Sequence, residues 1–598
     1  MTRGLFFAFL VVSCSLTSCA QSSNSSSAPQ QQSAPQQIQT SKSGITLQLS
    51  KPAAQSPAPA AQAAQNSGEA ATLAEADRLL ATGKPADAQA RYQAVVNADP
   101  ESVPAQVGLA RSLIFQQKLD AAQTALDAAL AIHPNAPDLL MTLGDLQFAQ
   151  GKLVDAERSF VKVQNARPTD PAAYLGLARV YRAYSLYRRA YDNMKHAHDL
   201  APNDLAVQLL WFHSLPQEDQ VPALEDYLNT AKLQPQIAKA LTAYLAGLKR
   251  NADAPVHPCT LVSNVRETNT KLYPIARGSE QLGAVGLAVK INNQEMHLAL
   301  DTGSSGVVLG RAAAEKLGLE RLAYHSFAGF GESGGQGGFT AVANRIRIGD
   351  LEFNDCTVRV TDAATPVTNQ DGLIGTDVFS AYLVDIDIPG AKLRLSPLPK
   401  RPDTAEAPAA LKTLHDNQQL ETEGPVSAKP VTVGELVLPK DAYVAPEMAK
   451  WTKALHFGNL LLVGTKVDNT GPLLFLIDTG SFANTLSTQT ARRLTQLRSD
   501  PTTRVSGLSG SVGQVYRVDT ATLDFPCDLN SCKYSQANQN VVTFDLSNIS
   551  HTTGTEVAGV LGFNMLRILQ IKIDYRDGLV DFVFDAKHLP KQMKLNKQ

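Results

Sequence analysis

Two hydrophobic periods divide the chain. Between residues 69 and 204 apolar positions recur at helical spacing, and the helices themselves recur. Pro100, Pro134, Pro168 and Pro202 stand 34 residues apart, and so do Ala88, Ala122, Ala156 and Ala190. The pairs Gly83-Lys84, Gln117-Lys118 and Gly151-Lys152 keep the same interval, where a turn between two helices belongs. Proline ends a helix because it lacks a donor, and a small Ala lets two helices approach closely. The pattern predicts stacked pairs of short helices. Residues 205–258 stay helical in pattern but lose the interval, which predicts a closing cap and a connector. From Cys259 onward the alternation is two-residue, with Val, Ile and Leu runs broken by Gly, Asn and Asp, as strands require. Two stretches match each other. Leu282–Ser304 contains strand Ala284–Ile291, turn Asn292-Asn293 and strand Met296–Leu300; Asn459–Ser481 contains Leu460–Val467, Asp468–Gly471 and Leu473–Ile477. Residues 399–439, rich in Pro, Ala and charge, read as a linker between two mainly β units at 259–398 and 440–590.

The helical interval resembles the tetratricopeptide repeat. In the fourth copy Tyr174, Leu177, Ala178, Tyr181, Ala190, Ala197 and Pro202 occupy that family's consensus positions. The first copy carries Glu75 at an apolar position, as suits an end cap. The resemblance implies protein partners on the repeats. The stretch Arg179–Tyr191 interleaves Arg and Tyr and could be taken for a base-stacking platform. Tyr181 fills a repeat position, however, and the arginines fit a solvated helix face. A formal charge of −2 gives no reason to bind nucleic acid or anionic lipid, so neither partner is expected.

At 598 residues the chain needs several cores. Residues 1–19 read as a signal peptide, with Arg3 before the apolar run Leu5–Val12, which is too short to span a bilayer. Leu16-Thr17-Ser18-Cys19 resembles the lipobox of bacterial lipoproteins, which implies lipidation at Cys19; Val11-Val12-Ser13-Cys14 also fits. Ala20 after the cysteine, by resemblance to known sorting preferences, implies an outer-membrane anchor facing the periplasm. Residues 20–68, a Ser, Gln, Ala and Pro tract, are expected to be a disordered tether. The expected membrane contact is the lipid anchor alone.

Candidate chemistry lies in one duplication. Asp301-Thr302-Gly303-Ser304 and Asp478-Thr479-Gly480-Ser481 each end an apolar strand. Each is followed downstream by an apolar pair and a glycine: Leu373-Ile374-Gly375 and Val560-Leu561-Gly562. Gly303 and Gly480 would let the chain turn sharply so that each Asp leaves its sheet. Thr302 and Thr479 could bond across the two units, and Ser304 and Ser481 could bond the outer carboxylate oxygens. Gly375 and Gly562 would allow a supporting strand to come close. Two carboxyls in hydrogen-bond range cannot both ionise, so they share a proton, and activity is expected in acid. This double signature resembles the retropepsin and pepsin superfamily of aspartic proteases over about residues 280–398 and 440–590. The resemblance implies two mainly-β lobes related by a pseudo-two-fold axis. It also implies an endopeptidase acting on peptides or unfolded protein through a water activated by Asp301 and Asp478. No cofactor or metal is expected. The alternative is an inactive peptide-binding scaffold of the cell envelope.

Cys259, Cys356, Cys527 and Cys532 are disulfide candidates in an exported chain, with Cys527–Cys532 closing a short loop and Cys259–Cys356 a long one. Zinc is the rival, although His257 is the only histidine near them. The glycine-rich segments Gly329–Gly338 and Gly507–Gly513 fall where the family places its flaps, with Tyr324 and Tyr516 flanking them. Within the first, Gly329-Phe330-Gly331-Glu332-Ser333-Gly334 matches a dinucleotide-binding spacing, and Gly331 to Gly335 matches a nucleophile elbow. Neither has the strand–turn–helix setting its chemistry requires.

Overall fold

The computed structural model describes residues 59–586 apart from 216, 232, 234, 253–258, 278–280, 328–335, 363–369, 401–430, 434–435, 439–442, 508–509 and 529–530. The signal peptide with Cys19, the tether up to residue 58, and most of the linker lie outside the described residues.

Helices come first: α1 Pro59–Ala81, α2 Pro85–Ala98, α3 Val103–Phe115, α4 Leu119–Ile132, α5 Pro137–Ala149, α6 Leu153–Ala166, α7 Pro171–Ala183, α8 Tyr187–Leu200, α9 Leu205–Ser214, α10 Gln217–Thr230 and α11 Pro235–Ala252. The 34-residue interval is visible in the backbone itself. Gly83, Gln117, Gly151 and Ser185, one per turn, all have positive φ, between 57° and 75°. Two of the four turns therefore hold a left-handed conformation without glycine. Proline opens α2, α5 and α7. Asp170 caps α7 by accepting from the Ala172 N–H, and Asp204 caps α9 by accepting from Ala206 and Val207. Helix α1 begins ten residues inside the segment read as tether. Its opening is rich in alanine, the best helix former, and Ala76, Leu79 and Leu80 farther along it are buried. Helices α9 to α11 enclose a small core of their own around Phe212, Leu224 and Tyr227.

The β region forms two lobes. In lobe 1, strand Gln294–Asp301 pairs antiparallel with Gln281–Ile291 and parallel with Gly372–Gly375, which also pairs with Val307–Gly310. Lobe 2 repeats this with Leu473–Asp478, Leu460–Val467, Gly559–Gly562 and Thr485–Ser487. A six-strand bridge joins them. Lobe 1 contributes Thr268–Arg277, Lys392–Pro397 and Tyr382–Asp387, and lobe 2 contributes Gln570–Asp574, Leu579–Val583 and Thr452–Lys453. The seam is antiparallel, with Val384 opposite Ile573 and Ile386 opposite Ile571. Disulfides join Cys259 to Cys356 and Cys527 to Cys532. The segment read as linker holds one short hairpin, Val431–Val433 against Leu436–Leu438, built on alternating Val and Leu.

The solenoid packs against lobe 2. Phe148, Leu153 and Phe160 share one core with Leu474, Leu476, Val557 and Val560. Burying each such side chain contributes about 1.5–3 kcal/mol. The Ala149 carbonyl, in the last turn of α5 and so lacking a partner within the helix, accepts from the Glu556 N–H at 2.7 Å. Phe148 meets the Phe457 ring edge-on at 6.2 Å. The stretch Arg179–Tyr191 is part of this arrangement, not a fully solvated face. Arg179 pairs with buried Asp145 at 3.1 Å and lies over the Phe148 ring, and the Tyr187 hydroxyl bonds His456 Nδ1 at 2.6 Å.

Candidate active site

Each Asp-Thr-Gly-Ser segment leaves the end of a strand held on both sides. Asp301 stands opposite Gly375 and Asp478 opposite Gly562 in parallel register. The two loops meet, and their threonines lock them reciprocally. Thr302 Oγ1 donates to the Ile477 carbonyl at 2.8 Å and accepts from the Thr479 N–H at 3.0 Å. Thr479 Oγ1 donates to the Leu300 carbonyl and accepts from the Thr302 N–H, both at 3.0 Å. Both threonines are fully buried, so each of these four bonds satisfies a group that water cannot reach.

The carboxyls of Asp301 and Asp478 come close enough that the charge of Asp478 raises Asp301. The glycines explain how they come so near. A Cβ on Gly303 would stand 2.9 Å from the Asp478 carboxyl carbon, and one on Gly480 would stand 2.5 Å from that of Asp301. Each motif's glycine thus makes room for the other motif's carboxyl. Neither takes a positive φ, so close approach and not a special turn demands glycine here. Gly375 and Gly562 are tight in the same way, since an added Cβ would lie 2.4 Å from the Ser304 carbonyl and 2.4 Å from that of Ala483.

Electrostatics separates the pair. Burial, and then the neighbouring Asp478 carboxylate, hold Asp301 well above the ordinary carboxylate range. Burial also raises Asp478, but the bond from Asp301 and the N–H groups of Ser481 and Gly480 oppose that rise. Asp478 Oδ1 accepts from Gly480 at 2.8 Å and Ser481 at 3.0 Å, while Asp301 Oδ1 accepts from Gly303 at 2.8 Å. Ser481 reaches the carboxylate with its backbone; its hydroxyl donates to the Ala483 carbonyl. The hydroxyl beside lobe 1's loop that meets a carboxylate is that of Ser305, which donates to Asp377 at 2.7 Å.

Several supporting residues carry no motif signal. Asp377 also accepts from the Gly306 N–H at 2.9 Å, and in lobe 2 the Asn484 side chain accepts from the Gly562 N–H at 2.9 Å. Each Asp-Thr-Gly-Ser loop is also touched from the opposite lobe. Asn459 donates to the Gly303 carbonyl at 3.3 Å, and Arg277 lies 4.2 Å over the Phe482 ring. Both sit at hairpin ends preceding a motif, a placement that becomes readable only once the lobes are paired. The hairpins that carry the glycine-rich segments are described up to their tips: Ala323–Phe327 pairs with Gln336–Ile348, and Ser506–Gly507 with Gly510–Ser511. Gly329–Gly335 and residues 508–509 lie outside the described residues, so both decoy spacings do as well. Among the described residues no group of three His, Cys, Asp or Glu could hold a metal, and no helix is long and apolar enough to cross a membrane. A separate cavity of about 210 Å³ lies in the inner groove of the solenoid, lined by Arg111, Met141, Asp145 and Arg179 and closed by His551 and Gly554 of lobe 2.

Residues 287–378 match the family model described as aspartyl protease, a span that includes Asp301 and Gly375. Residues 79–146 and 116–180 match the tetratricopeptide repeat model. No curated protein matches the chain. Among solved structures, a thermophilic TPR protein of Thermus thermophilus aligns at 17% identity over 30% of this chain and 98% of its own, with a TM-score of 0.27. Pseudomonas aeruginosa pilF aligns at 17% identity over 32% and 88%, with a TM-score of 0.24. An aspartic proteinase from Irpex lacteus aligns at 11% identity over 55% and 99%, with a TM-score of 0.30. The chain therefore carries tetratricopeptide repeats and an aspartyl-protease-like domain within a two-lobed β region.

Proposed function

We propose that the chain is an aspartic endopeptidase that cleaves peptides or unfolded protein at one cleft between its lobes. The observation that carries this reading is the meeting of the Asp301 and Asp478 carboxyls, so close that a Cβ on Gly303 would stand 2.9 Å from one and a Cβ on Gly480 2.5 Å from the other. A pair of this kind holds one proton. The ionised member takes a proton from a water bound between them, and that water attacks the scissile carbonyl carbon. The protonated member donates to the carbonyl oxygen, and a proton then passes to the leaving nitrogen as the C–N bond breaks.

The test uses unfolded casein at acidic pH. Asp301→Asn and Asp478→Asn should each abolish cleavage while the melting temperature stays near that of the parent. Full activity in either variant would overturn the single-cleft reading. Peptide binding with no turnover at any pH would favour the scaffold instead.

The remaining features support an envelope setting. Lipidation at Cys19 would tether the chain to the outer membrane, and the disulfides suit an oxidising compartment. The solenoid groove would receive protein partners. Labelling with radioactive palmitate, lost in Cys19→Ser, is the expected sign of the anchor; equal labelling of both chains would refute it.

A further inference from the structure

A line of polar groups, half-buried at the solenoid and buried at the lobe seam, runs from the solenoid to the loop after Asp301. It begins at Tyr187 on α8, whose hydroxyl bonds His456 Nδ1 at 2.6 Å. The His456 ring faces the Tyr575 ring at 5.7 Å between centroids. The Tyr575 hydroxyl crosses to lobe 1 and shares a short hydrogen bond with Thr376 Oγ1. Thr376 stands between Gly375, opposite Asp301 in the sheet, and Asp377, which holds Ser305 and Gly306. The Gly375 N–H also donates to the Gly306 carbonyl at 2.8 Å.

The turn after Tyr575 is braced by the solenoid a second time. Gly578 packs so closely that an added Cβ would stand 2.7 Å from Ser185 Oγ. Tyr575 is 2% exposed and Thr376 fully buried, so water cannot substitute for a lost partner. Burial, and beyond it the charges of Asp377 and Asp301, raise the Tyr575 hydroxyl far above its usual range, which keeps it protonated at any working pH. Burial pushes His456 down to about 4, helped by Arg182 of α7 and Lys453 of lobe 2, so the ring is neutral when it bonds Tyr187.

We propose that Tyr187, His456, Tyr575 and Thr376 are positioning residues of the catalytic centre, through which the solenoid sets the geometry of the loop carrying Asp301. This inference rests on the hydrolytic reading above. It makes the solenoid part of the active-site scaffold as well as a surface for partners. None of the four touches the reacting atoms; they act through Gly375 and Asp377.

The test compares Tyr575→Phe, Tyr187→Phe and the control Tyr174→Phe in the full chain, with casein cleavage measured from pH 3 to 7. Tyr575→Phe should lower kcat about tenfold, leave KM within about twofold and shift the acid limb of the profile. Tyr187→Phe should act in the same direction by about threefold. Tyr174→Phe, which loses only an exposed bond to the Pro168 carbonyl, should match the parent. Thr376→Ser should keep activity and Thr376→Val should lose it. Hydrogen exchange gives a readout free of turnover: peptides spanning 301–309 and 372–379 should exchange faster in Tyr187→Phe. Parental kcat and pH profile in both Tyr575→Phe and Tyr187→Phe, or unchanged exchange in those peptides, would overturn the link. If the parent chain cleaves nothing, the hydrolytic reading fails, and the exchange measurement still decides whether the solenoid and the loop are joined.

Discussion

Lobe 1 and lobe 2 carry the same motif on the same strand arrangement, yet they are held differently. Lobe 1 packs its apolar side chains within the β region. Lobe 2 shares a core with the helical repeats as well, through Leu474, Leu476 and Val560. The loop after Asp301 is fixed by a carboxylate, Asp377, whereas the strand beside Asp478 is fixed by an amide, Asn484. A duplicated motif is therefore held by different neighbours in its two copies.

The comparison breaks most completely if either carboxyl is removed. Asp301→Asn and Asp478→Asn should each cost more than about a thousandfold in kcat, because the two act as one unit. Unequal losses, with one variant near the parental rate, would mean that the lobes do not share a site. The next largest effect separates the disulfides. Cys259–Cys356 closes 97 residues and Cys527–Cys532 only 5. Chain-entropy arguments give about 4–5 kcal/mol for the first and about 2 kcal/mol for the second. Denaturant unfolding of Cys259→Ser and Cys527→Ser should show that order.

Thr302→Ala sharpens the symmetry. It leaves the Thr479 N–H buried without its acceptor, which costs about 2–3 kcal/mol. Thr479→Ala does the same to the Thr302 N–H, so the two variants should melt alike despite lying in different lobes.

The pH response should distinguish the two regions by sign. His456 is neutral in the folded chain down to about pH 4, against an ordinary value of 6.5. The unfolded chain takes up that proton first, so stability falls as pH drops from 6.5 to 4 and no further below, by about 3 kcal/mol. The pair Asp301 and Asp478 behaves oppositely. Its raised values mean that the folded chain keeps a proton the unfolded chain releases above 3.8, so its contribution is present in acid and lost as pH rises. His456→Gln should flatten the acid loss of melting temperature while leaving the neutral value close to the parent's. An unchanged acid loss would place its cause elsewhere.

Much of this was readable from local pattern. The interval of Pro100, Pro134, Pro168 and Pro202 marks the repeats because each repeat solves the same packing problem. The two Asp-Thr-Gly-Ser segments and the glycines at 375 and 562 mark the loops because nothing larger fits there. The solenoid's seat on lobe 2 was not readable. Leu474 and Phe148 are ordinary core residues in their own elements, and no periodicity links positions more than 300 apart. The same holds for Tyr187, which sits in a stretch whose charge suggests solvent. The crowding at Gly303 and Gly480 was not readable for a related reason: the sequence shows a strand end and a turn, whereas the space a side chain would need is taken by the carboxyl from the other lobe.

A single proton shared by the Asp301 and Asp478 carboxyls is what the hydrolytic reading requires. Its most direct test is the pH dependence of kcat/KM on an unfolded protein from pH 2 to 9. A bell confined to acid, falling away by pH 7, is the expected result. A rate that still climbs between pH 7 and 9 would contradict the shared proton.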